Sequence, residues 1–233
     1  MAHDSLSEQI SAAARELEGE LGQSATMDKA VSLSVQVVAG AQEAGISLLH
    51  GRGAAIDTPA ATSDLVRRID ELQYHFDQGP CLDAIRDSET AQSPDVGTDD
   101  RWPHWGPAAA AETGVRSMMC FRLFTYGDKL GALNLYSRRR NAFDAEDREH
   151  GLAIAAQTAI AMAAVQESDQ LRAGMDTRAL IGQAQGILME RLDMDDHLAF
   201  AVLTRLSSHG NRKLRDIAWE IVQTRRLPEG PNA

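Results

Sequence analysis

The stretch IGQAQGILMERL (181–192), followed by LAFAVLTRLSSHGNRKLRDIAWEIV (198–222), decides the fold of the C-terminal part of this chain. Apolar residues recur there at helical spacing in three segments, which predicts three short amphipathic helices. Asp195 stands where the second helix needs an N-cap, and Gly210 stands where it needs a C-cap. Asn211 is then the expected N-cap of the third helix. The three segments therefore predict a small three-helix bundle, with these core stripes: Ile181, Ala184, Ile187, Leu188 and Leu192; Leu198, Ala199, Val202, Leu203 and Leu206; Leu214, Ile217, Ala218, Ile221 and Val222.

A second face of the first helix carries a different set of residues. Arg178, Gly182, Gln185 and Met189 follow one another at steps of four, three and four, so they form a row beside the core stripe. Each glycine inside a helix costs about 1 kcal/mol relative to alanine, and Gly186 is a second one. Close backbone approach to another molecule would explain both glycines. A G-x-x-x-G helix crossing inside the bundle explains them equally well.

These segments resemble the ANTAR family, whose domains are RNA-binding output modules of bacterial antiterminators. The resemblance covers about residues 171–226 and is carried by R-x-x-I-x-x-A-x-G-I-L-M, A-F-x-x-L and N-R-x-L-x-x-I-A. Many members carry Lys where this chain has Gln185, so an uncharged amide replaces an ammonium group there: hydrogen bonding is kept and a phosphate contact is lost. The resemblance implies that Gln185 hydrogen-bonds a base edge, that Trp219 stacks on a base, and that the two glycines permit close approach. The RNA-binding residues it implies are Arg178, Gly182, Gln185, Gly186, Met189, Arg212, Lys213, Arg215 and Trp219.

The distribution of charge agrees with a nucleic-acid partner at the C-terminus only. The whole chain has a net charge of −11, whereas residues 171–233 contain nine Lys or Arg against eight Asp or Glu. Within 212–226, five basic residues oppose two acidic ones. This segment predicts a local basic ridge that could face phosphates. The same pattern also fits an ordinary solvated helix face.

The preceding part of the chain predicts an α+β domain. GISLLHG (45–51) has the pattern of a strand, and SDLVRRIDELQYHF (63–76) that of a helix capped by Ser63. Two apolar runs between Arg116 and Tyr136 are joined by YGDK, which predicts a β-hairpin with Gly127 in the turn.

This part resembles a GAF domain, which is an antiparallel sheet flanked by helices, often with a small-molecule pocket on one face. The resemblance spans about 27–165 and is carried by DQGPCLDAIRD, DDRWPHW, GVRSMMCFRL and GALNLYS. No bilin or cyclic-nucleotide signature is evident, so the ligand or cofactor is unknown. Aromatic and thiol side chains are candidates for the pocket, although they could equally fill the core. The candidate ligand-binding residues are Tyr74, Cys81, Trp102, Trp105 and Cys120.

A long helix is predicted between the two domains, over 143–178, with Asp144 as its cap. From Leu152 to Val165 only Gln157 and Thr158 are polar, so the helix needs cover on more than one side. Its alanines favour a parallel homodimer over a helix buried within one subunit. The predicted organisation is an N-terminal helical segment (1–26), a GAF-like sensory domain (27–165), a dimerising connecting helix (143–175), an ANTAR domain (171–226) and a flexible tail (227–233).

Other functional classes find little support in the sequence. The seven histidines show no metal-ligand spacing, and no phosphate-binding loop occurs, although Gly51 and Gly53 begin a G-x-G. Asp99 and Asp100 beside Arg101 have the pattern of solvated caps, so we expect neither a metal site nor an enzyme. The two cysteines form no C-x-x-C pair, which suits buried thiols more than a redox pair. No signal peptide or membrane span is evident, and a cytoplasmic protein is expected.

Three functions remain from the sequence. The first is a signal-responsive antiterminator, in which a cue at the GAF domain acts through the dimer helix on ANTAR modules that bind RNA stem-loops. The second is a DNA-binding regulator with 212–226 as a recognition helix. The third is a ligand-gated protein-interaction module.

Overall fold

A computed structural model describes residues 6–20, 22–50, 55–125 and 129–228 and confirms the α+β class. The chain divides into two compact units, with the division between Gln166 and Glu167. The first unit contains a five-stranded antiparallel sheet, whose strands lie in the order β2-β1-β5-β4-β3, and several helices. Its elements are α1 (Leu6–Glu18), α2 (Gln23–Val37), β1 (Glu43–His50), β2 (Ala55–Ala61), α3 (Asp64–Phe76), α4 (Pro80–Arg86), β3 (Thr90–Ser93), a 3-10 turn (Val96–Thr98), α5 (Trp105–Thr113), β4 (Ser117–Phe124) and β5 (Lys129–Ser137), followed by α6 (Ala145–Leu192).

Both faces of this sheet are covered, which explains why its central strands are apolar almost throughout. In β4, Met119 and Phe121 pack with α1, α2 and α6, whereas Met118 and Cys120 pack with α3, α4 and α5. The hairpin predicted from the two apolar runs is confirmed, because β4 pairs with β5 from Ser117 opposite Ser137 onward. Its predicted turn residue, Gly127, lies outside the described residues.

Helix α6 is fixed to the sheet at its first turns. The Asp144 carboxylate accepts a hydrogen bond from the Asp147 amide at 2.9 Å, and the Asp147 carboxylate accepts from the Asp144 amide at 3.2 Å. This reciprocal pair is a capping box, as the prediction of Asp144 as a cap required. The Gly40 amide also donates to Asp147, at 2.9 Å. One turn further on, a Cβ at Gly151 would lie 2.3 Å from the Phe121 ring, so glycine lets the helix approach the sheet closely.

The C-terminal unit is a bundle of three helices, and the first of them is not separate. Residues 181–192 form the end of α6, so the prediction of a short independent helix is wrong. No residue between the two segments carries a break signal, and the helix therefore continues without interruption over Ala145–Leu192. Helices α7 (Asp196–Gly210) and α8 (Leu214–Thr224) complete the bundle. Its buried residues are Ala184, Leu188, Ala199, Leu203, Ile217, Ala218 and Ile221.

The predicted caps are only partly correct. Asp195 is confirmed, since its carboxylate accepts from the Leu198 amide at 2.8 Å. Asn211 does not begin the third helix: it ends α7 in the left-handed conformation, at φ 47°, and Lys213 takes the N-cap position of α8. Asparagine tolerates that conformation better than most residues, which explains the exchange of roles. Ser63 precedes α3 as predicted, but its side chain makes no capping hydrogen bond.

The assignment of two residues to the core stripes is wrong. Leu192 and Leu198 are about half exposed, because each lies beside the turn between α6 and α7, where the bundle ends. Most of the predicted tail, from residue 229 onward, lies outside the described residues.

Candidate nucleic-acid interface and sensory core

An open groove of about 740 Å³ runs between the end of α6 and α8. Gly186 and Ile187 of α6 face Val222 of α8 across it, and a Cβ at Gly186 would meet no described atom within 4 Å. The same holds for Gly182. Neither glycine is therefore needed for helix packing inside the bundle, and the G-x-x-x-G crossing finds no support. The complete lining is Gln183, Gly186, Ile187, Glu190, Arg191, Val222 and Arg225.

An exposed aromatic residue lies on α8, about one turn before a residue that lines this groove. Arg215, Trp219 and Val222 follow one another at steps of four and three, so they lie in one row on α8. Val222 lines the groove, Trp219 lies about one turn before it on the same side of α8, and Arg215 lies one turn before Trp219; neither of the last two is among the lining residues. Trp219 is 58% exposed, although a bundle this small would gain from burying an indole. This row of α8 thus presents a flat aromatic surface and a cation to an incoming ligand.

The basic residues of this surface are partly paired with acidic ones. The Arg212 guanidinium lies 2.6 Å from the Glu220 carboxylate, and Arg215 lies 3.4 Å from Asp216. Arg191 donates to the main-chain carbonyl of Arg225, which holds its side chain across the groove. Exposed pairs of this kind contribute little to stability, so the arginines remain available to a stronger anion such as phosphate.

The predicted α6 residues fall on two sides of that helix. Gln185 is half buried and donates through Nε2 to the carbonyl of Asp196 at 3.2 Å, which joins α6 to the start of α7. Met189 is partly exposed next to the same turn, and Arg178 is exposed. Gly186, in contrast, opens toward α8. Sequence reasoning missed Gln183 and Arg191, which lie one residue after Gly182 and two residues after Met189, outside the row of steps it followed.

A polar cluster occupies the centre of the other domain, on the sheet face covered by α3 and α4. Asp70 of α3 is fully buried and accepts hydrogen bonds from Tyr136 at 2.6 Å and Thr58 at 2.9 Å. It also accepts from Gln73 at 2.9 Å and from Ser47 at 3.4 Å. Four elements, β1, β2, β5 and α3, therefore converge on one carboxylate.

Two predicted ligand residues belong to this cluster. The Tyr74 hydroxyl lies 2.8 Å from both Thr58 Oγ1 and Ser47 Oγ. Cys81 Sγ lies 3.4 Å from Ser47 Oγ and accepts from Asn134 Nδ2 at 3.4 Å. The structure therefore brings Tyr74 and Cys81 together, beside polar strand residues that sequence reasoning did not single out.

The other three predicted ligand residues are packed in the core on the same face. Trp102 and Trp105 form an edge-to-face pair at 5.8 Å, and both are buried. Their indole N–H groups are satisfied by Asp83 Oδ2 at 3.0 Å and by the carbonyl of Ile69 at 3.4 Å. Cys120 is buried in β4. These contacts favour the core-filling alternative for the two tryptophans.

Burial controls the acid–base properties of this core. Loss of solvation raises the pKa of Asp70 to about 6, against the lowering effect of its hydrogen-bond donors. It also raises the pKa of the Cys81 thiol to about 12, with the Asp70 charge adding to the effect, and raises that of Cys120 well above its ordinary value. Thiolates are therefore strongly disfavoured, which argues against redox chemistry at either cysteine.

Two kinds of site are absent from the described residues. They contain no group of three His, Cys, Asp or Glu that could hold a metal ion. None of their helices is long and apolar enough to cross a membrane. Gly51 and Gly53, which begin the weak G-x-G pattern, lie outside the described part of the chain.

With this geometry described, comparison with known proteins defines the class of each unit. Residues 20–163 match the profile of the GAF domain, a sheet-based regulatory domain, and residues 169–222 match the profile of the ANTAR domain. The chain belongs to the GAF domain family and carries an ANTAR domain after it. A comparison with curated proteins finds no match.

Solved structures support the fold of the first unit. The chain is similar to the free methionine-R-sulfoxide reductase of Neisseria meningitidis, solved with its substrate, at 18% identity and a TM-score of 0.57, over 72% of this chain and 96% of that one. It is also similar to a bacteriophytochrome of R. palustris, at 12% identity and a TM-score of 0.58, over 81% and 44%. For the GAF domain of an Acinetobacter phosphoenolpyruvate-protein phosphotransferase, the values are 11%, 0.56, 72% and 99%.

At these identities the likeness concerns the fold alone. GAF and ANTAR domains are regulatory and not catalytic, although the first of these neighbours shows that an enzyme can share the GAF fold. The combination defines a signal-regulated protein of the ANTAR type.

Proposed function

We propose that this protein is a signal-responsive regulator of transcription antitermination, whose ANTAR domain binds RNA stem-loops in nascent transcripts under control of the GAF domain. The observation that carries the proposal is the open groove at Gly186, together with exposed Trp219 and Arg215 in the row of α8 residues that leads to its lining residue Val222. Such a surface is what an unpaired loop base requires, since it combines a stacking platform with cations for the backbone. A protein with this role acts in the cytoplasm, on RNA as it is made.

The groove supplies distinct contacts for the parts of an RNA loop. Trp219 stacks on a base, and Arg191, Arg215 and Arg225 hold phosphates around it. Glu190, in the same lining, keeps the phosphate backbone away from one wall and can accept a hydrogen bond from a base amino group. Gly186 leaves room for the nucleobase at the bottom of the groove. The proposal thus shifts the predicted interface from the Gln185 side of α6 toward the α8 side.

The first experiment compares an RNA hairpin with two loops against a DNA duplex of the same length, across a salt series. Preference for the hairpin, with affinity that falls steeply as salt rises, supports RNA binding through phosphates. Preference for the duplex would favour the helix-turn-helix alternative, and salt-insensitive or absent binding of both would favour a protein-interaction module.

The two glycines provide a matched pair for locating the interface. Gly186→Leu fills the groove, whereas Gly182→Leu places the same side chain on the neighbouring face of α6, and neither meets described atoms near its Cβ. Both variants should gain helix stability, because leucine is the better helix former. We expect RNA affinity to fall at least tenfold for Gly186→Leu only, an energy of about 1.4 kcal/mol. The reverse result would return the interface to the row of Arg178, Gly182 and Gln185.

Arginine variants test the phosphate contacts. Arg215→Ala should flatten the salt dependence by about one ion, as loss of one phosphate contact does. A loss of RNA affinity in Arg212→Ala could have two causes, because this variant removes a proposed phosphate contact and also breaks the ion pair with Glu220. Glu220→Gln separates them, since it frees Arg212 without removing it. RNA affinity should rise in Glu220→Gln if Arg212 holds a phosphate, and stay unchanged if Arg212 only supports the loop before α8.

We also propose a homodimer through the first part of α6. Among the alanines of this helix, Ala155 and Ala159 are buried, whereas Ala156 and Ala164 are exposed. Beside them lies an apolar groove of about 550 Å³, bounded by Leu152 and other α6 residues and by the end of β4. Ile160 is 60% exposed at its edge. A second copy of the helix supplies the cover that an exposed isoleucine and adjoining alanines favour.

Ile160→Glu tests the dimer by introducing a charge at that edge, and Gln166→Glu is the control because it adds the same charge to an exposed position on another side of the helix. Sedimentation should show a dimer for the control and a monomer for Ile160→Glu. A dimer in both would place the interface elsewhere, and a monomer in both would support a helix covered within one subunit.

For the cue we propose only its chemical class. A small molecule acting at the face of the sheet under α3 and α4, near Tyr74 and Cys81, is consistent with the GAF fold. The domain limits given from the sequence likewise stay predictions, to be checked by expressing 171–226 alone.

A further inference from the structure

The Asp70 carboxylate has no cation to balance it. Its four hydrogen bonds come from neutral groups, namely the hydroxyls of Tyr136, Thr58 and Ser47 and the amide of Gln73. Among the described residues no Lys, Arg or His forms an ion pair with it, and no positive charge contributes to its titration. A buried carboxylate without a cationic partner is strongly destabilised in its charged form.

A second acceptor in the same cluster lacks a hydrogen-bond partner. Asn134 donates through Nδ2 to Ser47 Oγ at 2.9 Å, but its Oδ1 is fully buried and accepts no hydrogen bond. Native proteins seldom leave such an atom unsatisfied. The cluster therefore holds an excess of acceptor oxygens, which is the composition of a site for a positively charged species.

The spacing of the side chains decides which cation fits. Each contact to Asp70 is direct, at 2.6–3.4 Å between heavy atoms, so no volume remains between them for an ammonium group or a hydrated metal ion. A proton needs none, because it adds to an oxygen lone pair within an existing hydrogen-bond distance.

We propose that Asp70 is a proton-binding site of the sensory domain, and that its occupancy switches the hydrogen bonding that joins α3 to β2. The carboxylate takes one proton from solvent on Oδ2 and becomes a neutral acid, with no other covalent bond formed or broken. The new O–H donates to Thr58 Oγ1, from which Asp70 previously accepted. The Thr58 hydrogen turns to the Tyr74 oxygen, 2.8 Å away, which accepts it while Tyr74 continues to donate to Ser47.

The groups around Asp70 leave this carboxyl as the one that changes near neutral pH. From α3 it faces Tyr74, from β5 Tyr136, from α4 Cys81 and from β4 Cys120, while β1 and β2 present only hydroxyls. Burial raises the pKa of each of these tyrosines and thiols above its ordinary value, so they stay neutral. The pKa of Asp70, by contrast, is about 6. The proton site does not depend on RNA binding, and pH becomes one input of the domain.

The test follows the Asp70 carboxyl carbon by NMR in the full chain labelled at aspartate, from pH 4 to 8. Asp70→Asn identifies the signal, which should titrate with a midpoint of about 6 against an ordinary value of 3.8, a proton affinity about 100-fold higher. Asp64→Asn, an exposed carboxylate on the same helix, is the control and should leave that titration intact. The ring carbon bearing the Tyr74 hydroxyl should shift with the same midpoint.

Tyr136→Phe keeps the proposal testable if Asp70→Asn does not fold. It removes the 2.6 Å hydrogen bond to the carboxylate, which favours the neutral acid, so the midpoint should move to higher pH. The proposal is overturned if Asp70 stays ionised down to pH 4, or if Tyr74 does not respond. A midpoint that differs between potassium and tetramethylammonium salts would overturn it too, since an ion and not a proton would then occupy the site.

Discussion

The sensory domain and the C-terminal bundle place their polar and aromatic side chains in opposite ways. Asp70 and Asn134 are fully buried in the first, and its tryptophans are enclosed. The bundle has a small core and leaves Trp219, Phe200 and other large apolar side chains exposed. A domain that senses through its interior must alter its own packing to respond, whereas a domain that binds through its surface can keep its fold unchanged. Substitutions should therefore affect stability in the one and binding in the other.

The largest expected contrast is between two tryptophans. Trp105→Ala removes a side chain that is fully buried and packed against Trp102, so it should lower the free energy of unfolding of the sensory domain by about 3–5 kcal/mol. Trp219→Ala should change that of the bundle by no more than about 0.5 kcal/mol, while weakening RNA binding by about 1–3 kcal/mol. Urea denaturation and hairpin binding measure the two. Equal destabilisation by both would end the contrast.

A pair of leucines on α7 tests how much the bundle depends on its small core. Leu203 is fully buried and Leu198 is about half exposed. Leu203→Ala should cost about 2–5 kcal/mol and melt the bundle before the sensory domain. Leu198→Ala should have little effect on melting, as expected for an exposed position at the start of a helix. Circular dichroism during thermal unfolding, followed for each variant, would show a single unchanged transition in Leu203→Ala if this core were assigned incorrectly.

The pH dependence of stability should come largely from one carboxyl in the sensory domain. The pKa of Asp70 is raised from 3.8 to about 6 by burial, so the folded state binds its proton more tightly than the unfolded state. This contribution is fully present below about pH 4 and is lost as the pH rises through 6, with a total of about 3 kcal/mol. Subtracting the unfolding profile of Asp70→Asn from that of the native chain should give this curve. A flat difference would show that Asp70 titrates normally.

The smallest expected contrast concerns two residues that both have N-cap sequence signals. Asp195→Ala removes a hydrogen bond to the Leu198 amide and should cost the bundle about 1 kcal/mol. Ser63→Ala removes a hydroxyl that is buried and unpartnered, so the sensory domain should be unaffected or slightly more stable. Chemical denaturation of the two variants is sufficient. A loss of equal size at Ser63 would show that its hydroxyl does cap α3 in solution.

Local rules predicted the elements well and their ends less well. The hairpin, α3 and the Asp195 cap follow from patterns within a few residues of one another. Asn211 shows where such rules become ambiguous, because asparagine suits both a helix start and a left-handed helix end, and only the packing of α7 against α8 chooses between them. The continuity of α6 was missed because two amphipathic segments with different buried faces can share one helix.

The two sites differ in how far the sequence could reveal them. Trp219 and Arg215 were identified because they lie on one helix, but the groove to which their row leads requires the packing of α6 against α8. The cluster at Asp70 depends on strand pairing, which places Ser47 opposite Ala132 and Asn134 opposite Gly45. One signal was available: Ser47 and Asn134 are single polar residues within apolar strands, and such residues need partners.

The contact of Gly151 with Phe121 limits how this protein can diverge. Any larger residue at 151 would collide with the ring, while a smaller residue at 121 would leave a void beside the helix. Each change alone is harmful, and together they can compensate, so the two positions are expected to change as a pair in related sequences. The junction of sheet and helix is thus inherited as a unit, and drift at either residue depends on what its neighbour permits.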